Sequence, residues 1–395
     1  MSVPLLDVNA QNHPLEAELK AAFDSVLRTG RFILGEEVEA FERECAAFIG
    51  AKHAISISSG TDALLVAFMA LGIGPGDEVI CPSFTFFATA GCITRTGATP
   101  IFCDVCPVCF NLDIDALRAK ITKRTKAIVP VHLFGQSTEM DSIQALAKEH
   151  GLIVIEDAAQ AIGATYHGRS VGTIGEVGCF SFFPSKNLGG FGDGGLVTTE
   201  DDALAEKITR LRNHGMHPRY YHSLIGGNFR MDALQCALLR VKLRHLSTYA
   251  AGRDRNANHY LSTLSQVPGI VQATPDDCCC FTRQGEKLAA AGAQIVLPVA
   301  YEHNGHVWNQ FTLRVTSNRR DALKIHLAGH GVASEIYYPV PLHRQECFAD
   351  LPVHALDHCP VSDALASEVL SIPVYPELAA SQLDEVVSAI SSFVA

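Results

Sequence analysis

The sequence predicts an α/β fold in which a mostly parallel β-sheet is covered by helices on both faces, followed by a smaller α+β domain. Strand-length runs in the first part of the chain are apolar throughout, as expected of strands buried on both faces. These runs alternate with helical segments, which is typical of a parallel sheet. The chain has 395 residues, of which 48% are hydrophobic, enough for a large core in two domains.

The elements of the first part follow in a regular order. The stretch GTDALLVAFMALGIGPGDEVICPSFTFFATAGCI predicts a helix, a GPGD turn, a strand over Glu78–Cys81 and a second helix. After the strand TPIFCDV, we expect Asp113 to cap a helix that runs to Ile121. The strand KAIVPVH precedes a predicted helix over Glu139–His150, which Gly151 ends. LIVIED and VGCFSFF are the next two predicted strands.

The pattern changes in the last part of the chain. Helices dominate first, and the strands QIVLPV and NQFTLRV, a helix near Asp321–His330 and a closing helix near Ser381–Phe393 follow. We therefore predict a large domain over residues 1–245 and a small C-terminal domain over residues 246–395. Residues 273–293, with DDCCC and a Gly/Ala-rich run, are expected to form an irregular excursion.

Charge and hydropathy exclude several classes of protein. The net charge of −11 argues against a nucleic-acid partner, which would require a basic stripe. The N-terminal MSVPLLDVNAQNHP lacks the basic and apolar regions of a signal peptide. No apolar run reaches the roughly 20 residues of a membrane span. We therefore expect a cytoplasmic protein with no membrane partner.

The 13 cysteines include two clusters. One is CDVCPVC, with Cys103, Cys106 and Cys109, and the other is Cys278–Cys280. A structural metal site would need further ligands at matching spacing, and none follows. Reduced, buried thiols are the favoured interpretation, and we predict no metal.

Two polar residues mark the end of the predicted strand LIVIED: Asp157 is its last residue, and Gln160 follows it. Ligands of an open parallel sheet bind beyond the carboxyl ends of its strands, which is where Asp157 lies. Gln160, three residues later, can face the same place. Asp157 could equally cap the next helix, so the position alone does not decide between these interpretations.

A second candidate is the segment SSGTDAL at residues 58–64, which leads into a predicted helix. The free N–H groups of a helix start favour an anion, Gly60 allows a close backbone approach, and Thr61 can add a hydroxyl. An ordinary N-cap at Thr61 is the alternative.

The third candidate is Lys186, in FSFFPSKNLGGFGDGG. Ser181 precedes it by five residues, and a glycine-rich loop follows it. A partly desolvated lysine loses its proton more easily and attacks carbonyls, whereas a solvated surface lysine has no such role. A phosphate cradle, a strand-end carboxylate and this lysine together predict a pyridoxal phosphate site. Phe86 could stack on the ring of the cofactor, or it could belong to the core.

These motifs resemble the DegT/DnrJ/EryC1/StrS family of sugar aminotransferases over nearly the whole chain. The resemblance begins at TGRFILGEEVEAFE and includes SSGTDAL, EDAAQAIGA, FSFFPSKNLGGFGDGG, GGNFRMDALQCALLRVKL, YYPVPLH and SIPVYPEL. It implies a type I aminotransferase fold, whose large domain has a mostly parallel seven-stranded sheet flanked by helices. It also implies a homodimer with shared active sites.

The resemblance assigns a role to each candidate. Lys186 becomes the Schiff-base lysine and proton carrier, Asp157 the partner of the pyridine nitrogen, and Gln160 the neighbour of the ring hydroxyl. Phe86 becomes the stacking ring. The cofactor phosphate falls to one set of residues: Gly60, Thr61, Asp62, Ser181 and, from the other subunit, Asn228.

The residues that bind substrate follow only from similarity. Arg230 and His306 are candidates, although Arg230 could form a structural ion pair and His306 could be a surface residue. His214, in RNHGM, is equally open.

The activity that the resemblance implies is transfer of an amino group from glutamate to a keto group of a nucleotide-linked sugar, for lipid A, another surface glycan such as lipopolysaccharide, or a natural-product sugar. C3 of the sugar is favoured over C4. Lys186 argues against the dehydratases of the family, which have histidine there. Ser185 argues against a cysteine desulfurase. A non-catalytic regulatory or sensory protein is the alternative of another class.

Overall fold

The computed structural model describes residues 2–274, 292–352 and 358–395. The Cys278–Cys280 cluster and most of the predicted excursion at 273–293 lie outside these residues. Along the described ranges, no helix has the length and apolar character required to cross a membrane.

The α-helices of the described residues are numbered in chain order. They are α1 (Val8–Asn12), α2 (Glu16–Thr29), α3 (Glu36–Ile49), α4 (Gly60–Leu71), α5 (Ala88–Arg95), α6 (Ile114–Lys120), α7 (Met140–His150), α8 (Asp202–Arg212), α9 (Ala233–Leu243), α10 (Leu246–Leu264), α11 (Arg320–Gly329), α12 (Pro360–Glu368) and α13 (Ala380–Val394).

A seven-stranded sheet forms the centre of the first part of the chain. Its strands, in spatial order, are β1 (His53–Ile57), β9 (Gly195–Thr199), β8 (Val177–Ser181), β5 (Ile153–Asp157), β4 (Thr125–Ile128), β2 (Glu78–Pro82) and β3 (Thr99–Cys103). Neighbours from β8 to β3 pair in parallel, and β9 is antiparallel to both of its neighbours. The predicted α/β class with a mostly parallel, helix-flanked sheet is confirmed.

Two smaller sheets complete the fold. The C-terminal sheet has the order β10 (Ile270–Gln272), β11 (Ile295–Leu297), β13 (Phe311–Val315) and β14 (Val369–Ile372). A three-stranded sheet joins β12 (Asn304–Gly305) to β6 (Thr165–Tyr166) and β7 (Arg169–Ser170). The smaller C-terminal α+β unit is thus present, whereas the boundary between residues 245 and 246 stays a prediction.

Local sequence signals explain two predicted helix ends. Asp113 lies just before α6, and its carboxylate accepts a hydrogen bond from the N–H of Ala116 at 2.8 Å, which is an N-cap. Gly151 ends α7 with a φ of 66°, in the left-handed region that glycine adopts without steric cost. Both elements differ from the predicted bounds by one residue.

The cysteines of the first cluster are buried. Cys103 and Cys106 are 0% exposed, and Cys109 is 6% exposed. Burial raises the pKa of the Cys103 thiol well above its usual value, which favours the thiol form. Within the described ranges, no group of three or more histidine, cysteine, aspartate or glutamate side chains is placed to hold a metal ion.

Candidate active site

The candidate site lies at the carboxyl edge of the central sheet, where β5 ends in Asp157 and β8 ends in Ser181. The two strands are parallel neighbours, with Asp157 paired to Cys179. Strand ends that meet at one edge bring distant parts of the chain together. Lys186 follows β8 by five residues, so the same edge carries both the carboxylate and the amine.

Asp157 is 5% exposed, and each of its carboxylate oxygens has a partner. Oδ2 accepts from the Thr89 hydroxyl at 2.8 Å, and Oδ1 accepts from the N–H of Ala159 at 3.2 Å. Burial raises the pKa of this carboxyl, while these hydrogen bonds and the Lys186 charge lower it in part. The contact with Ala159 is the local capping contact of the alternative interpretation, but no helix of the described chain begins there.

Lys186 is half-buried at this edge. Desolvation lowers its pKa from 10.5 to about 8, against the opposing pull of the Asp157 carboxylate. The backbone N–H of Lys186 donates to the Phe183 carbonyl at 2.8 Å, which fixes a tight turn. A lysine in this environment differs from a solvated surface lysine, because a substantial fraction of it is neutral near pH 8.

Gln160 connects the site to two segments that are remote in sequence. Its Oε1 accepts from the N–H of Phe134 at 2.7 Å, and its Nε2 donates to the Tyr338 hydroxyl oxygen at 3.1 Å. Tyr338 therefore has its own O–H left to donate. Burial raises the pKa of Tyr338, which keeps this hydroxyl protonated.

The predicted anion site is formed by the start of α4 and the end of β8. Ser59 is the N-cap of α4, and its hydroxyl accepts from the N–H of Asp62 at 3.0 Å, so Ser59 and not Thr61 is the cap. A Cβ atom on Gly60 would lie 2.7 Å from the Cβ of Ser181. Only glycine allows this approach, which places the Ser181 hydroxyl beside the first N–H groups of the helix.

Phe86 is not a core residue. Its ring is 56% exposed, whereas Phe84, two residues earlier, is fully buried. The Phe86 ring packs against Tyr338 with centroids 6.1 Å apart. The aromatic face is therefore available at the site, next to the Gln160–Tyr338 pair.

Arg230 and Asn228 lie on the segment that follows a hairpin-like excursion after α8. Arg230 donates to the Oδ1 of Asn213 at 2.7 Å, so its described partner is a neutral amide and not the carboxylate of a structural ion pair. Asn213 and Asn228 form an isolated antiparallel bridge. His214, inside the excursion, has a φ of 60° and accepts through its carbonyl from the His222 ring at 2.9 Å.

His306 occupies a different setting from the other candidates. Its ring stacks on Trp308 at 3.8 Å, and its Nδ1 accepts from the N–H of Trp308 at 3.0 Å. Burial lowers the pKa of His306 to about 3, so the ring is neutral. It is thus not a simple surface residue. The His306 ring contacts Trp308 and the backbone of Gly135.

Sequence reasoning missed Thr89 and Tyr338. Thr89 lies at the start of α5, and nothing in its neighbourhood marks it as a partner of Asp157. Tyr338 lies in the motif YYPVPLH, whose paired tyrosines were the available signal.

The residues at this edge fit pyridoxal phosphate. A buried carboxylate faces the site, a desolvated amine is beside it, a hydroxyl adjoins a helix N-terminus, and one aromatic ring is exposed. Asp157, Lys186, Ser181 and Phe86 are the side chains that would hold it. Fold and site together define an aminotransferase that uses this cofactor.

The model of the DegT/DnrJ/EryC1/StrS aminotransferase family matches residues 14–278 and 280–391, so the chain belongs to this family. A pleiotropic regulatory protein from Geobacillus stearothermophilus is 44% identical over 100% of this chain and 99% of its own length. A UDP-N-acetyl-3-dehydro-α-D-glucosamine 3-aminotransferase from Acidithiobacillus ferrooxidans is 44% identical over 98% of this chain and 97% of its own length.

Two solved structures are similar to this protein in fold. The crystal structure of S. venezuelae DesV in complex with a ketimine intermediate has a TM-score of 0.90 and 40% identity, and the match covers 100% of this chain and 98% of DesV. NtdA from Bacillus subtilis, solved with the bound cofactor PMP, has a TM-score of 0.85 and 29% identity over 100% of this chain and 85% of NtdA. The predicted type I aminotransferase fold is confirmed.

Proposed function

We propose that this protein transfers an amino group from glutamate to the C3 keto group of a nucleotide-linked sugar. The observation that carries the proposal is the desolvated Lys186 amine beside the buried Asp157 carboxylate. The choice of C3 is supported by the name of the Acidithiobacillus relative, which is a 3-aminotransferase of a 3-dehydro sugar. Amination at C4 is the alternative within this class.

Lys186 is the group that moves protons. With a pKa of about 8, its amine exchanges between the neutral and charged forms near neutral pH, which suits a base that later returns its proton. Bound pyridoxal phosphate supplies an electron-withdrawing ring that makes the adjacent C–H acidic. With the cofactor bound, Lys186 would remove the α-proton of the donor and return it at the cofactor carbon.

The other residues would hold and orient the cofactor. Asp157, with one oxygen fixed by Thr89, would pair with the ring nitrogen. Gln160, held by Phe134, would lie near the ring hydroxyl, and Phe86 would stack on the ring. Ser181 and the first N–H groups of α4 would bind the phosphate.

We further propose that the protein works as a homodimer in the cytoplasm, with Asn228 reaching the cofactor phosphate of the partner subunit. Support comes from large apolar side chains that are exposed on the monomer. They include Phe23 (43%), Leu27 (56%), Ile33 (55%) and Phe191 (48%). Arg230 is the candidate for substrate binding, and its neutral partner leaves its charge available.

A regulatory function is the second candidate, because the Geobacillus relative is named a pleiotropic regulatory protein. Such a role would not require a desolvated lysine beside a buried carboxylate. Cofactor binding with amine transfer would favour the enzyme, and a protein that does not take up the cofactor would favour the regulator.

The deciding experiment is a half-reaction assay. The protein is loaded with pyridoxal phosphate, converted to the amine form with glutamate, and freed of excess reagent. Nucleotide-linked 3-keto and 4-keto sugars are then added separately, and the absorbance of the lysine-bound cofactor is followed. Recovery with the 3-keto sugar alone supports the proposal, whereas recovery with the 4-keto sugar alone replaces C3 by C4.

Two variants control this assay. Lys186→Ala should bind cofactor but give no recovery, and Lys123→Ala, at an exposed lysine, should behave as the unaltered protein. Substantial turnover by Lys186→Ala would overturn the assignment of the lysine.

A further inference from the structure

We propose that Asn187 and Asn309 are positioning residues for Lys186, joined in an amide pair that fixes the lysine-bearing turn relative to Gln160. The inference rests on the proposed function of Lys186. It concerns two side chains that do not themselves reach the reacting atoms.

Asn187 directly follows Lys186 and points away from solvent. It is 2% exposed, and both ends of its carboxamide are used. Its Nδ2 donates to the Val307 carbonyl at 2.8 Å, and its Oδ1 accepts from the Nδ2 of Asn309 at 2.8 Å. A side chain with two directional partners has one orientation, and it restricts the backbone from which the Lys186 side chain leaves.

Asn309 is itself held by two other parts of the chain. Its N–H donates to the Phe134 carbonyl at 2.9 Å. Arg253, on α10 and 3% exposed, donates through one nitrogen to the carbonyls of Trp308 at 3.0 Å and Asn309 at 3.3 Å. The Asn309 backbone is therefore held at both its N–H and its carbonyl, which restricts the position from which its side chain donates to Asn187.

Phe134, which holds Asn309, also contacts Gln160, the other residue that we propose faces the cofactor. Phe134 accepts from Asn309 and, through its own N–H, donates to Gln160 at 2.7 Å. Phe134 has a φ of 58°, an uncommon backbone conformation for a bulky residue, and Gly135 follows at a φ of 100°. A Cβ on Gly135 would lie 2.9 Å from the Asn309 nitrogen, so the two segments touch.

A series of hydrogen bonds, linked through the Asn309 and Phe134 residues, thus connects Asn187, the neighbour of Lys186, with Gln160. It runs from the Asn187 carboxamide to Asn309 and from there through Phe134 to Gln160. The Lys186 amine and the Gln160 amide must face one ring from loops that follow two different strands, β8 and β5. A shared support fixes their separation more tightly than two independent loops would.

The test compares Asn309→Ala with Asn256→Ala. Asn309→Ala removes the donor to Asn187 and leaves the backbone contacts of residue 309 in place. Asn256 is the matched control, since it is 0% exposed and donates its amide to the Tyr375 carbonyl at 2.7 Å. Both variants are loaded with pyridoxal phosphate, and the pH midpoint of the cofactor absorbance, the cofactor dissociation constant and the kcat and KM for glutamate are measured.

Asn309→Ala should lower kcat by about 10–100-fold, because small misplacements of a reacting group have effects of this size. Its KM and cofactor dissociation constant should stay within about twofold, and the absorbance midpoint should move while that of Asn256→Ala does not. An unchanged kcat and midpoint in a folded, cofactor-loaded Asn309→Ala protein would overturn the proposal, as would equal effects in Asn256→Ala. Should Asn309→Ala fail to fold, Asn187→Ala is measured in the same way, with the same predicted shift.

Failure of the proposed function gives a different result. In that case the unaltered protein gives no amine transfer, or Lys186→Ala still gives it, whatever the asparagine variants do. An essential Lys186 together with a normal Asn309→Ala protein rejects the positioning role alone.

Discussion

Replacing Lys186 by methionine should make the cofactor-free protein more stable at neutral pH. Methionine has a similar length and carries no charge to desolvate. The native protein keeps an amine in a place where the charged form is disfavoured, and the substitution removes that cost.

The size of the effect follows from the pKa. A fall from 10.5 to about 8 corresponds to about 3 kcal/mol at 1.36 kcal/mol per pH unit. This value already includes the attraction between the amine and the Asp157 carboxylate, and it is an upper bound because Lys186 is only half-buried and water screens part of the penalty. We therefore expect the free energy of unfolding of Lys186→Met to exceed that of the unaltered protein by about 1–3 kcal/mol at pH 7.

The difference should depend on pH in a defined direction. Between pH 8 and about 10.5 the unfolded chain binds more protons at this lysine than the folded chain, so the stability of the unaltered protein rises with pH in that window. Methionine does not titrate. The advantage of Lys186→Met is therefore complete below pH 8, shrinks above it and disappears near pH 10.5.

The assay is urea unfolding of both cofactor-free proteins at pH 7, 8, 9 and 10, followed by circular dichroism at one protein concentration. Lys123→Met, at an exposed position, is the matched control and should match the unaltered protein. A Lys186→Met protein that is less stable at pH 7, or a difference that is constant with pH, would refute the reasoning.

Three further predictions concern the cofactor. The rate at which the cofactor-free protein takes up pyridoxal phosphate should rise with pH and level off above about pH 8, because the neutral Lys186 amine is the nucleophile; stopped-flow absorbance checks this, and a rate still rising between pH 9 and 10 would contradict it. Gly60→Ala should weaken cofactor binding by roughly 5–30-fold in a fluorescence titration, because the added Cβ would lie 2.7 Å from the Cβ of Ser181. Unchanged binding would contradict this prediction. Asp157→Asn should lower kcat by about 100-fold or more, whereas Thr89→Val, which removes one hydrogen bond to the same carboxylate, should lower it by only about fivefold. Steady-state kinetics measures both variants, and a larger loss in Thr89→Val than in Asp157→Asn would contradict the prediction.

The architecture was predictable where local rules decide it. Strands buried on both faces are apolar throughout, and this pattern indicated β2, β5 and β8. Asp113 and Gly151 mark helix ends through chemistry within three or four residues. The antiparallel direction of β9 was not predicted, because a short apolar strand carries no local signal of its direction.

The sequence predicted the site residues that lie at or near the ends of predicted strands, but not contacts between residues far apart in sequence. Asp157, Ser181 and Lys186 were expected together because they follow the ends of predicted strands, and the structure brings them to one edge. Tyr338 was missed because it meets Gln160 across 178 positions of sequence, and only the folded chain shows that pair. The role of His306 in substrate binding stays a prediction, and its stacking on Trp308 is a feature that the sequence does not reveal.

The small three-stranded sheet limits how this protein can admit a substrate. It pairs Asn304 with Tyr166 and Gly305 with Thr165, and so ties the chain after α10 to the chain after β5. A hinge rotation that opened the two parts like a clamshell would have to separate these strands. We therefore expect entry of a bulky substrate to depend on movement of exposed side chains such as Phe86, and we expect the catalytic groups to keep their spacing when the substrate binds.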